Sequence, residues 1–261
     1  MEDILSKIVK EAQISKLSNL TAACYATQGI YMISPVWLRF NEFIISELIC
    51  DKTLFIKCPM SEVHRKCLSV FELGLSPSNS LKIQKLSIAG MQIMIRDKIY
   101  WTVDSNDPNE QLPIQMCNCI GTVIKGHKEK IQIELLSLIT ELSSQLTFLL
   151  SPETIEEIIT ISSGLYSCDT ISNKLQMSIE LASSQSTFQY CNFVIKQTGL
   201  NFSDIFEDDI FPLLNFICDL IQSDSSNSNY KSMFLKCIHS VLLSIPNDSS
   251  VFIESFISFI W

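Results

Sequence analysis

Residues 128–142 read KEKIQIELLSLITEL, and within them Ile131, Leu135, Leu138, Ile139 and Leu142 recur at intervals of three and four. That spacing gathers the five side chains on one face of a helix. A helix this short is marginal in water, so its apolar stripe must be covered by neighbours. Downstream, Ser151-Pro152-Glu153-Thr154 is the clearest helix start in the chain. Ser151 can cap free amides, Pro152 suits the first helical position, and Glu153 complements the dipole. Ile155, Ile158, Ile159 and Ser162 continue its buried face. Its partner is expected over 172–184, with Leu175, Ile179 and Ala182 inward.

The same period extends in both directions. Upstream, 111–124 carries Leu112, Met116, Cys119, Ile120 and Val123, and Gly126 ends it. Before that, 61–75 places Val63, Cys67, Leu68, Phe71 and Leu75 on one face. Pro77-Ser78-Asn79 breaks the chain, and 81–95 follows with Ile83, Leu86, Ala89, Gly90, Ile93 and Met94. The Ala89-Gly90 pair would let a neighbouring helix approach closely. The opening segment sets Ile4, Leu5, Ile8, Val9 and Ala12 against Glu2, Lys7, Lys10 and Glu11. Past Gly199, helices are expected over 204–222, 229–245 and 249–261, with a polar linker at 223–228 and a turn-rich connection at 104–108. The first members of the pairs then begin near 61, 108, 151 and 204, close to the ~40–47 residue period of HEAT and armadillo repeats. The expected fold is all-α: at least eight helices in antiparallel pairs, without a sheet, stacked as an armadillo/HEAT-like α-solenoid. Only 25–59 shows no clean period.

Composition agrees and narrows the function. Of the 261 residues, 47% are apolar and 18% charged, which excludes a disordered chain. The net charge of −9 and the mixed character of the densest basic run, Lys125 to Lys130 with Glu129 inside it, argue against a nucleic-acid partner. Seven Gly and eight Pro are few for a turn-rich all-β chain. The N-terminal residues carry acids where a secretory signal needs a basic region, so a cytoplasmic, reduced chain is expected. The most apolar stretches, 30–50 and 205–221, are interrupted by charges and prolines, so no membrane span is expected. Peripheral membrane association remains compatible with that pattern.

Neither catalytic nor metal-binding chemistry is legible. Cys117 and Cys119 point to different faces of one helix, no C-x-x-C exists, and His64, His127 and His239 are far apart. Cys237 and His239 raise the thought of a thiol–imidazole pair, but a buried thiol and a surface imidazole is the better reading. Cys67, Cys191 and Cys218 also have the apolar surroundings of buried thiols. The acids Glu207-Asp208-Asp209 are expected to solvate a first turn, as are Glu156-Glu157. No phosphate-cradling or nucleophile-elbow motif occurs. No catalytic, cofactor-binding or metal residue is assigned, and no cofactor is expected.

A resemblance carries the reading further. Met1-Glu2-Asp3-Ile4-Leu5 with Lys7, then Lys10-Glu11-Ala12, Ser15-Lys16, Arg65-Lys66-Cys67-Leu68, Glu72-Leu73, Ala89-Gly90-Met91-Gln92, Gln132 to Leu136 and Tyr166-Ser167 resemble the start of a large Arf guanine nucleotide-exchange factor of the brefeldin A-inhibited type. Asp209-Ile210-Phe211-Pro212-Leu213-Leu214, Cys218, Leu235 to Leu242 and Trp261 resemble the region that follows in that family. The resemblance implies a dimerisation and cyclophilin-binding domain over 1–190, with an atypical stretch at 25–59, and the start of a homology-upstream region over 191–261. It further implies a non-catalytic regulatory and protein-interaction region acting in Golgi and vesicle trafficking, at trans-Golgi or secretory-granule membranes. Its expected partners are a second copy, the upstream region of the same protein and Golgi recruitment factors. Arf itself would be met only through an exchange domain beyond Trp261. Two alternatives stand beside this reading: a free-standing helical adaptor of the importin or adaptin kind, and a helical thiol enzyme. The 249–261 helix, with Glu254 its only charge, is expected to need a covering neighbour and so to drive dimerisation or aggregation.

Overall fold

A computed structural model describes residues 6–10, 20–29, 60–96, 112–166, 171–196, 205–223 and 228–245, and these are helical apart from short turns. In chain order the helices are α1 (6–10), α2 (20–29), α3 (Met60–Leu75), α4 (Leu81–Arg96), α5 (Leu112–Val123), α6 (Glu129–Gln145), α7 (Pro152–Gly164), α8 (Asn173–Ile195), α9 (Phe211–Ser223) and α10 (Ser228–Ser244). A π-helical turn, Phe206–Ile210, leads into α9. Consecutive helices pair as α3 with α4, α5 with α6, α7 with α8 and α9 with α10. The pairs stack into two rows: α3, α5, α7 and α9 pack successively in the first, and α4, α6, α8 and α10 in the second.

Helices of one row run the same way. Lys85 and Arg96 of α4 meet Glu134 and Glu141 of α6 in that order. Ser172, the cap of α8, bonds Glu129, and Ser186 further along α8 bonds Ser143. Parallel neighbours within a row and reversed partners between rows make an α-solenoid, as the sequence predicts. The pairs begin at Met60, Leu112, Pro152 and, after the π turn, Phe211.

Local chemistry explains the elements. The Ser151 hydroxyl accepts the Thr154 amide at 3.4 Å, with Pro152 at the first helical position. After α3, the Asn79 side chain donates to the carbonyls of Leu73 and Gly74 at 2.7 and 3.1 Å, satisfying groups a helix end leaves open. Ile131, Leu135, Ile139 and Leu142 are all buried, as are Ile155, Ile158, Ile159 and Ser162. At Gly90 the Phe71 ring of α3 lies where a Cβ would stand, which is the close approach that Ala89-Gly90 predicts.

Four expectations need correction. First, α8 does not stop at 184 but continues to Ile195, because Ser183, Ser186 and Thr187 carry its buried face across a polar run to Tyr190, Cys191 and Val194, which lie in the core. Second, the face of α4 is rotated. Ile88, Met91 and Ile95 are buried while Leu86, Ala89 and Ile93 are only half-buried, because α4 is covered by α3 on one side and α6 on another. Third, residues 25–29 of the aperiodic stretch belong to α2. That helix buries Leu20, Ala23, Cys24 and Thr27 and sends Gln28 Nε2 to the Leu86 carbonyl at 2.8 Å. Fourth, Cys218 is half-buried, not fully enclosed. Residues 30–59, the 104–108 turn and the 249–261 helix lie outside the described residues.

Candidate interaction surface

The two rows differ in charge. Among the described residues, α7, the π turn and α9 carry Glu153, Glu156, Glu157, Glu207, Asp208, Asp209 and Asp219 and no Lys or Arg. Burial and the nearby Glu153 both raise the Glu156 pKa, as crowding of like charges should. In the second row, by contrast, three carboxylates meet a cation. Lys85 meets Glu134 at 3.1 Å, Arg96 Nε meets Glu141 at 2.7 Å, and Lys236 meets Glu180.

Glu180 anchors the seam between α8 and α10. Its side chain is only 8% exposed and accepts from Lys236 Nζ, from Ser232 at 3.0 Å and from Gln176 at 3.2 Å. Burial alone would push its carboxyl up. The hydrogen bonds and the Lys236 charge outweigh that and hold it below the usual range. Deeper in the same seam, Ser183 and Thr187 hydrogen-bond the Cys237 thiol. Across the other side of α8, Ser186 and Ser143 share a 2.6 Å bond while each also lies within reach of a carbonyl of its own helix.

On the outer side of the second row, two shallow grooves of about 400 Å³ flank α8. One lies between α8 and α10, the other between α6 and α8, and Ser178 and Leu181 line both. The crest between them is apolar: Met177 is 69% and Leu181 55% exposed. Sequence reasoning missed this crest because it sought the inward stripe of α8; Met177 and Leu181 sit off it.

Residues weighed for chemistry are not brought together. Cys117 and Cys119 occupy different faces of α5, yet both are buried, since α3, α6 and α7 surround that helix. Cys237 is buried and His239 exposed, as the sequence predicts. Burial pushes the Cys191 thiol up to about 12 and the Cys237 thiol to about 11, and it also raises Cys24, Cys117, Cys119 and Cys218. A nucleophilic cysteine needs the opposite shift. His127 is buried in the α5–α6 elbow and bonds the Leu75 backbone, and burial lowers its pKa. The side chain of His64 lies outside the described residues. Of the acidic run, Glu207 and Asp208 are exposed, but Asp209 does not merely solvate a turn: it accepts the buried Tyr190 hydroxyl at 2.9 Å. Among the described residues no three metal-binding side chains cluster, and no helix is long and apolar enough to cross a membrane.

No family model matches the chain, and no solved structure does. Among curated proteins it is 24% identical to brefeldin A-inhibited guanine nucleotide-exchange protein 3 of Homo sapiens, over 94% of this chain and 11% of that protein. It is 22% identical to the Mus musculus protein of the same name, over 100% of this chain and 12% of that protein. The chain thus spans about an eighth or less of the length of these relatives. It is similar from end to end to a stretch of the brefeldin A-inhibited guanine nucleotide-exchange proteins, the family that its own residues resemble.

Proposed function

We propose that this chain is a non-catalytic regulatory and protein-interaction region of an Arf guanine nucleotide-exchange factor acting in Golgi and vesicle trafficking. The similarity carries the reading, because it runs along nearly all of the chain but only 11% of the human relative. A stacked solenoid with raised thiol pKa values and an open grooved face supports binding in preference to chemistry. On this reading residues 1–190 form a dimerisation and cyclophilin-binding domain, and 191–261 begin the homology-upstream region that it contacts. Recruitment to the membrane then runs through protein partners, since a surface with the net charge of −9 is repelled by anionic lipid.

The test compares nucleotide exchange on Arf by residues 1–261 alone, by the longer protein, and by the longer protein lacking 1–261. The isolated region should leave exchange at the uncatalysed rate. Its deletion should abolish self-association and Golgi recruitment in cells. Exchange by residues 1–261 alone, or normal recruitment and association after deletion, overturns the reading.

A further inference from the structure

We infer that the outer face of α6, α8 and α10 seats an amphipathic helix of a partner protein, one whose apolar stripe is flanked by acidic residues. The inference rests on the protein-interaction reading above and names the chemistry of the partner. Its seat is the crest of Met177 and Leu181 between two grooves. A helix laid along either groove covers the crest with side chains at positions i, i+4 and i+7.

The hydroxyls of the grooves decide for a helix over an extended strand. Thr140 donates to Leu136, Ser144 to Glu141, Ser178 to Lys174 and Ser184 to Glu180, each to a carbonyl of its own helix. With these four protons committed, Ser137 is left as the groove hydroxyl open to an incoming backbone. An extended peptide would therefore find no row of donors along the groove for its carbonyls. A helix satisfies its backbone internally and needs only shape and apolar contact, and small serine side chains let it come close.

Charge selects the flank. Glu141 and Glu180, the carboxylates lining the grooves, are already paired with Arg96 and Lys236. Lys174, which lines the α8–α10 groove, has no carboxylate partner among the described residues. The face therefore presents unanswered positive charge on a chain whose net charge is −9, and acidic flanks complement it. An anionic bilayer would meet the crest alone and leave both grooves unfilled, so a protein helix is the better occupant.

The experiment uses three fluorescein-labelled peptides against the whole chain, read by fluorescence anisotropy. The first is a designed helix with Leu at i, i+4, i+7 and i+11 and Glu on the flanks. The second replaces each Glu with Lys, and the third keeps the acidic composition but carries a central proline. The acidic helix should bind, more weakly as salt rises. Leu181→Glu and Met177→Glu should each weaken it at least tenfold, while Glu207→Lys in the other row should leave it unchanged. Both α8 positions are exposed, and an unchanged circular dichroism melt confirms that the variants fold. Equal binding of the lysine or proline peptide at this crest overturns the choice of partner and leaves the protein-interaction reading standing. Indifference of binding to both α8 substitutions overturns the face itself. Sedimentation of the chain with phosphatidylserine vesicles, abolished by Leu181→Glu, makes the occupant a membrane and overturns the proposal. Concentration-dependent self-association lost in the same variant makes it a second copy and overturns it equally.

Discussion

α6 and α8 lie side by side in the second row, and each buries one face against its neighbours, but they do so with different atoms. α6 buries Ile131, Leu135, Leu136, Leu138, Ile139 and Leu142, with Gln132 and Ser143 as its buried polar side chains. α8 buries Glu180, Ser183, Ser186, Thr187 and Tyr190 alongside Leu175, Ile179, Ala182, Cys191 and Val194. An apolar face is held by area and shape, which tolerate small shifts. A polar face is held by particular hydrogen bonds, and each buried group left unpaired costs more than its bond contributes. Two neighbouring helices can therefore be equally well packed and unequally sensitive to the same kind of substitution.

The largest effect should come from the apolar side of the comparison. Leu135→Ala should destabilise the chain by ~2–5 kcal/mol, read from urea melts followed by circular dichroism. A loss within ~0.5 kcal/mol would mean that the α6 stripe is not core. On α8, Glu180→Ala should cost about 1–2 kcal/mol, since Ser232, Gln176 and Lys236 lose a carboxylate partner but are all partly exposed and regain water. A loss as large as that of Leu135→Ala would mean that the two helices are held equally.

The Ser143–Ser186 bond sharpens the comparison further. Two hydroxyl protons serve three short contacts there: the shared one and one carbonyl on each helix. Ser186→Ala alone should cost about 1 kcal/mol, and Ser143→Ala with Ser186→Ala should cost less than the sum of the two single changes. Strict additivity in that double-mutant cycle would show that the hydroxyls do not interact.

Acid should weaken the α8–α10 seam through Glu180. The Glu180 carboxyl is held below its ordinary value, so its stabilisation is complete above the unfolded carboxylate pKa of about 4.3 and is lost as pH falls through the folded value. Stability measured downward from about pH 5 should therefore fall less steeply in Glu180→Gln than in the parent chain. Identical slopes would remove Glu180 from the acid response. The smallest effect belongs to the surface: Leu181→Glu should shift stability by no more than ~0.5 kcal/mol, because that side chain is 55% exposed and off the seam.

How much was legible follows the same division. α6 reads directly from its period, and α7 from Ser151-Pro152. α8 reads only as far as its apolar positions go. From Ser183 to Thr187 the polar run SSQST interrupts the stripe before Tyr190, Cys191 and Val194 resume it, and only seams to α6 and α10 make its hydroxyls worth burying. α2 carries the right spacing at Leu20, Ala23, Cys24 and Thr27, but small side chains give a faint signal beside the aperiodic residues that follow. The crest at Met177 and Leu181 is invisible to any search for core, because it is defined by what the neighbouring helices leave uncovered.

By itself, then, the sequence determined most of the helices and, to within a few residues, where each pair begins, since apolar spacing, caps and breakers act within about twenty residues of chain. Tertiary structure alone decided which polar groups are buried, which carboxylates are neutralised, and which face stays open. Those outcomes depend on residues about forty to sixty positions apart meeting across a seam, such as Ser143 with Ser186 and Glu180 with Lys236. A local pattern holds no record of its distant partner, so only the stacking of one repeat on the next could supply it.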